Sequence, residues 1–291
     1  MRLFIAFAIT LIASQAVFAF ELKPYKDKLF AYPPVLETSD GGDFLRVAYD
    51  KQRDIYDRDS VPLRRVKDQY ITPGLSFSRR VRSYDSPNGT QKYFTIGKRR
   101  NARVTVIYLY GKGGNRRQGV NDRTFGGNFN RLQVLMRDND GVLVTPDYTD
   151  FKKRGTADIA SLINEYRRRS PKTFLIVACG SMGGGVCWRL ANSPATSNKI
   201  DGMFLLGSHW SNDFLDSLVV RERGKEIPLY FGHGSLDTVF QPRTQLDFFR
   251  RIKSINPGYP ARFVMFETGK HGTPIRMVDW RREINWMLSA K

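Results

Sequence analysis

Residues 173–189 read TFLIVACGSMGGGVCWR, and the rest of the chain is organised around them. The apolar run Phe174 to Ala178 has the length and side chains of a buried strand. It meets a Gly-rich corner carrying one hydroxyl, Ser181, and apolar residues resume from Val186 to Leu190 as a helix. A strand that turns sharply into a helix crowds its own backbone, so small residues must flank the apex. Cys179 lies two residues before Ser181 and Gly183 two after it. This small-x-Ser-x-Gly spacing forces the serine into strained backbone geometry and leaves its Oγ clear of the main chain, open to a base on one side and a ligand on the other. Taken alone, the stretch also describes a Gly-rich corner with an idle serine, so its partners decide.

The 291 residues suffice for one α/β domain of roughly 200–250 residues with some chain to spare. Residues 1–19 read as a cleaved secretory signal: Arg2 supplies the positive start, Leu3 to Ile12 the apolar run, and Val17-Phe18-Ala19 the cleavage site. Ser14 and Gln15 interrupt that run, which is too short to span a bilayer comfortably. The mature chain is therefore expected to be soluble and exported, secreted or periplasmic. A formal charge of +19, one less once Arg2 is removed, favours anionic partners such as acidic polysaccharide or a membrane surface rich in anionic lipid. Nucleic acid, the third kind of anionic partner that such a charge favours, is not expected, because the chain reads as exported and shows neither an RNA-binding signature nor a nuclease metal cluster. The two cysteines, Cys179 and Cys187, do not make a disulfide framework. A bridge from the end of a strand to the following helix looks hard to close, so two buried free thiols are expected. No Cys/His spacing supports a metal site, and no cofactor is expected.

In chain order, residues 20–73 are the least patterned, with loops at Pro33-Pro34 and Gly41-Gly42, and are expected to form an N-terminal extension wrapping the core. The catalytic domain is expected over 74–291. Leu75 to Tyr84 and Lys92 to Ile96 read as a hairpin around Ser86-Pro87-Asn88-Gly89, the antiparallel start of a mixed sheet. From Ala102 strands alternate with helices, which implies α/β architecture with a mostly parallel sheet covered on both faces. The strands are Val104 to Tyr110, Val142 to Thr145, the run before Ser181, Met203 to Leu206, Ile227 to Phe231 and Phe263 to Phe266. Helical stripes lie at Ile159, Leu162, Ile163 and Tyr166, at Leu246, Phe249 and Ile252, and at Trp280, Ile284, Met287 and Leu288.

From Ala102 to the C-terminus the chain resembles the α/β-hydrolase superfamily, on the serine corner and on two residues downstream of it. Asp237 comes after the strand Ile227 to Phe231, and His271 after Phe263 to Phe266, which is the Ser, acid, His order of that superfamily. The resemblance implies Ser181 as nucleophile, His271 as base and Asp237 as the acid that orients it. Asp147, on the strand before the serine corner, is the alternative acid. Of the three histidines, His233 is read as support for the acid loop, while His209 and Trp210 either line the pocket or pack as loop residues. The amide of Met182 and one from Gly111-Lys112-Gly113-Gly114, donated by Lys112 or Gly113, would form an oxyanion hole; Tyr110 and Lys112 depart from the family's His-Gly-Gly-Gly loop.

Basic residues crowd the same edge: Lys112, Arg116, Arg117 and Arg123 after one strand, Lys152, Lys153 and Arg154 after the next. Arg116 and Arg117 are candidate binders of an anionic substrate; a solvated surface is the alternative. The expected activity is a serine esterase acting on a small-molecule, lipid or polysaccharide ester, with peripheral contact to an anionic membrane surface among its options. An acyltransferase or peptidase of the same superfamily, or a basic binding protein on a hydrolase scaffold, remain the rival readings.

Overall fold

A computed structural model of the protein describes residues 20–290. The secretory signal read at residues 1–19 lies outside the described residues. The strands are β1 (Val35–Ser39), β2 (Phe44–Val47), β3 (Asp59–Val61), β4 (Arg65–Val66), β5 (Arg80–Ser86), β6 (Gly89–Gly97), β7 (Val104–Leu109), β8 (Val142–Pro146), β9 (Phe174–Gly180), β10 (Gly202–Leu206), β11 (Leu229–Gly234) and β12 (Ala261–Phe266). Ten of them form one sheet in the order β1-β2-β12-β11-β10-β9-β7-β8-β6-β5, and β3 and β4 pair separately. From β2 through β12, β11, β10, β9 and β7 to β8 the neighbours run parallel. The strands β5 and β6 at one edge, and β1 at the other, pair antiparallel.

Both faces of this sheet are covered, and β7, β8 and β10 are buried along their whole length. Their mostly apolar, non-alternating sequences reflect that, since a strand with no wet face has no reason to alternate. Helices supply the cover with the stripes expected of them. The helix Lys153–Arg169 buries Ile159, Leu162, Ile163 and Tyr166, one apolar face at helical spacing. Each such side chain, fully buried, contributes about 1.5–3 kcal/mol.

Three local expectations need correction. The hairpin starts at Arg80, because Leu75–Ser78 form a 3₁₀ turn entered through Gly74 at φ 79°; Leu75 alone is buried there, and Phe77 is 84% exposed. The strand expected from Ile227 starts after Pro228 and runs on to Gly234, so His233 is a strand residue rather than a loop residue. The two cysteines are not free thiols. Cys179 and Cys187 form a disulfide with Cα atoms 6.4 Å apart, inside the accepted range of roughly 4.4–6.8 Å. The 3₁₀ turn Ser181–Gly183 passes directly into the helix Gly184–Asn192, which packs back on β9 and so brings position 187 to the strand's end.

Residues 20–73 contribute to the same sheet. The tight turn Asp40–Gly42 folds β1 onto β2, and β2 extends the parallel array by pairing with β12. Further along, the β3–β4 ribbon is tied to the body by Arg58, whose guanidinium donates to the Gly126 carbonyl at 2.6 Å. The pair Arg276 and Asp59, at 2.6 Å and buried, ties it again.

Candidate active site

Three side chains converge at the carboxyl ends of β9, β11 and β12, the edge where ligands bind in open parallel sheets. Ser181 comes directly after β9 with φ 51°, a left-handed backbone that non-glycine residues hold only under constraint. His271 Nε2 lies 2.8 Å from Ser181 Oγ, and His271 Nδ1 lies 2.8 Å from Asp237 Oδ2. The carboxylate accepts only, so Nδ1 carries the ring proton and Nε2 accepts from the serine hydroxyl.

Asp237 is buried, and an unpaired carboxylate there would cost several kcal/mol. It is not unpaired: Oδ1 accepts the amides of Val239 at 2.8 Å and Phe240 at 3.2 Å, while Oδ2 accepts from His271. Burial by itself would raise the carboxyl's pKa; the hydrogen bonds from His271 and the two amides outweigh it and hold the group below its ordinary value. His233 stands on the other side of the acid. Its Nε2 donates to the Phe240 carbonyl at 2.8 Å and lies 3.3 Å from Asp237 Oδ2, so the acid loop is held at both ends. Burial pushes the His233 ring below its usual pKa and keeps it neutral.

The loop expected beside the serine is there. Gly114 N bonds to Gly111 O at 3.0 Å, closing a turn with Lys112 and Gly113 at its tip and Gly113 at φ 78°. Gly111 packs so closely that a Cβ on it would come within 2.6 Å of Ser181 Cβ, which excludes any larger residue. Met182 comes next to Ser181 inside the turn Ser181–Gly183. Gly207, at φ 54°, backs His271, since a Cβ there would meet the His271 carbonyl at 2.6 Å.

The other candidates are distributed differently. Asp147 is not brought to His271; it accepts the Arg116 amide at 2.8 Å and forms an ion pair with the Arg116 guanidinium. Arg116 is therefore held against Asp147 and over the Phe94 ring rather than presented as a free cation. Arg123 is paired with Asp68. Lys112, Arg117, Lys152, Lys153 and Arg154 are exposed. His209 is half-buried, edge-on to Phe240 with ring centroids 5.9 Å apart, and burial lowers its pKa. Its carbonyl accepts from Trp188 Nε1 at 2.7 Å, which ties the helix after Ser181 to this loop; Trp210 beside it packs against the core.

Two features have no clear signature in the sequence. Phe240 lies between His209 and His271, edge-on to the first and tilted against the second at 5.6 Å. Tyr110, Tyr148 and Phe151 cluster beside the serine corner: the two tyrosine rings stack at 4.6 Å, and the Tyr148 hydroxyl donates to the Tyr110 carbonyl at 2.6 Å. The only signal for either is an aromatic residue just past a strand or acid, which most core aromatics share.

No family model matches the chain, and no curated protein resembles it significantly in sequence. Solved structures do. An esterase of Pyrococcus furiosus is 17% identical over 75% of this chain and 95% of its own, with a TM-score of 0.53. A protein of unknown function from Agrobacterium tumefaciens, described as a putative α/β hydrolase, is 14% identical over 72% of this chain and 95% of its own, at 0.56. A thermostable esterase is 14% identical over 73% of this chain and 63% of its own, at 0.55. At such identities the likeness is one of architecture, and with the sheet order and the helical cover it gives the conclusion that this chain has the α/β-hydrolase fold.

Proposed function

We propose that the protein is an exported serine hydrolase that cleaves an ester through an acyl-enzyme. The observation that carries this reading is the continuous chain Ser181 Oγ, His271, Asp237, with both links at 2.8 Å and the serine at φ 51°. A serine is a weak nucleophile at neutral pH. Here His271 Nε2 takes the Oγ proton as Oγ attacks the ester carbonyl, and Asp237 stabilises the imidazolium that results. The carbonyl oxygen becomes an oxyanion, met by the amide of Met182 and by one from the Lys112–Gly113 tip. His271 then returns the proton to the departing alcohol. Water, deprotonated by the same ring, attacks the acyl-serine, and the acid leaves with Ser181 restored.

Export is supported by the leader-like residues 1–19 and by the Cys179–Cys187 disulfide, since such bridges persist in oxidising compartments. An anionic substrate is supported by the exposed Lys112, Arg117, Lys152 and Lys153 at the mouth edge. Labelling of the purified protein with a fluorophosphonate probe tests the chemistry directly. A single adduct on Ser181 is expected, together with turnover of p-nitrophenyl esters. An unlabelled, folded protein would return the chain to the class of inert scaffolds. Turnover of esters that is slower than transfer to an added alcohol would favour an acyltransferase.

A further inference from the structure

A cavity of about 550 Å³ opens beside the loop that carries His271. That size is ordinary for a small-ligand site, roughly 300–1,000 Å³. Lys270 and Gly272, the residues on either side of His271, form part of its wall, and Ile55, Tyr56, Leu63 and Phe125 supply an apolar lining. Tyr56 and Leu63 are 54% and 62% exposed, so large apolar groups are held at the opening rather than tucked away.

The wall is built, not incidental. Leu63 and Phe125 both hold left-handed backbone, at φ 62° and 49°, which a bulky residue keeps only where its surroundings enforce it. Asp59 does the enforcing for Leu63. One carboxylate oxygen accepts the Leu63 amide at 2.7 Å and the other accepts from Arg276 at 2.6 Å. The charge pattern then selects the occupant. Lys51, Lys270 and Arg276 line the cavity, and no acidic residue does. Arg276 is consumed by Asp59, while Lys51 and Lys270 have no ion-pair partner among the described residues.

We infer that this cavity binds an amphiphilic carboxylate, its apolar body against Ile55, Tyr56, Leu63 and Phe125 and its anionic end on Lys51 and Lys270. The site stands independently of whether Ser181 is a nucleophile. Octanoate serves as the probe, with 1-octanol as its uncharged match, titrated calorimetrically into the full chain carrying Ser181→Ala so that no chemistry intervenes. Octanoate should bind saturably at one site, and more tightly than 1-octanol. Lys51→Glu should weaken octanoate at least about fivefold and leave 1-octanol unchanged, as expected where an attractive charge contact becomes a repulsive one. Leu63→Asn and Leu63→Asp suit the left-handed backbone better than leucine, so the fold, checked by thermal melting, should survive them. The first should weaken both probes and the second should remove octanoate binding. The proposal fails if octanoate does not bind, or if binding ignores these changes. It fails equally if octanoate, at a concentration that fills the site, protects Ser181 of the parent chain from fluorophosphonate labelling, which would place octanoate at the serine.

Discussion

The carboxyl edge of the sheet has two halves that handle charge in opposite ways. Beyond β9, β11 and β12, Asp237 and His233 are buried, both Asp237 oxygens accept hydrogen bonds and His233 Nε2 donates one, so the geometry at Ser181 is held from within the fold. Beyond β7 and β8, Lys112, Arg117, Lys152 and Lys153 stand in water, while Arg116 and Arg123 are tied down, by Asp147 and Asp68. Buried, satisfied charges change local chemistry at short range. Exposed ones are worth about 0–1 kcal/mol in any one contact and act through a field that salt screens within about 10 Å at 0.1 M. The first half should therefore govern turnover and the second the rate of encounter.

The largest expected effect tests the first half. Ser181→Ala should lower ester turnover by roughly 10⁴–10⁶ while the melting temperature stays near that of the parent. A folded alanine variant with parental kcat would remove Ser181 from the chemistry.

Next comes a pair of substitutions that sets one half against the other. Asp237→Asn should cost about 10⁴ in kcat, because an amide at that position favours the wrong imidazole tautomer. Asp147→Asn should leave kcat nearly intact and instead lose about 1 kcal/mol of stability, the scale of a partly exposed ion pair. If the Asp147 variant were the inactive one, the roles of the two halves would be reversed.

A smaller effect belongs to the exposed half. For an ester bearing a carboxylate or phosphate, kcat/KM should fall severalfold as salt is raised, while a matched neutral ester stays nearly flat. Neutralising Lys152 and Lys153 to glutamine should flatten the first curve and leave fluorophosphonate labelling of Ser181 unchanged. Equal salt dependence for both esters would reduce the basic edge to solvated surface.

The smallest effect is on stability. Burial depresses the His233 pKa in the folded chain, so as pH falls the unfolded chain binds this proton first. The stability that neutral His233 contributes is complete above its unfolded value, about 6.5, and is lost as pH drops through that value toward the folded one. Urea midpoints compared between about pH 7.5 and about pH 5.5 should fall for the parent and fall less for His233→Gln. His209, also lowered by burial, retains part of the slope in the variant. An unchanged slope would mean that the His233 pKa does not differ between the folded and the unfolded chain.

Much of the fold is legible in the sequence. Helical stripes such as Ile159, Leu162, Ile163 and Tyr166, and unbroken apolar strands such as Met203 to Leu206, announce their elements through local spacing, and their alternation announces a parallel sheet. The corner around Ser181 is equally local, because crowding there dictates small neighbours within two residues. Where a run ends is less so: Phe77 alternates like a strand residue yet stands in water, since Gly74 turns the chain before the sheet begins.

Chain order alone also puts Ser181, Asp237 and His271 past the ends of three strands, and the parallel sheet then gathers those ends on one edge. Distances across that edge are another matter. Whether His271 meets Asp237 or Asp147, and whether Arg116 faces a ligand or a carboxylate, depends on which strands are neighbours, and β9 lies between β7 and β10 rather than beside β8. The disulfide likewise required the angle at which the helix Gly184–Asn192 folds back on β9. The cavity beside His271 required residues 49–63 and 268–276 to meet across more than half the chain. Backbone preference and hydrophobic period are carried by adjacent residues and can be read from them. Pairings between distant side chains are decided by packing, where one buried carboxylate goes to whichever cation or amide the assembled fold brings within hydrogen-bonding distance.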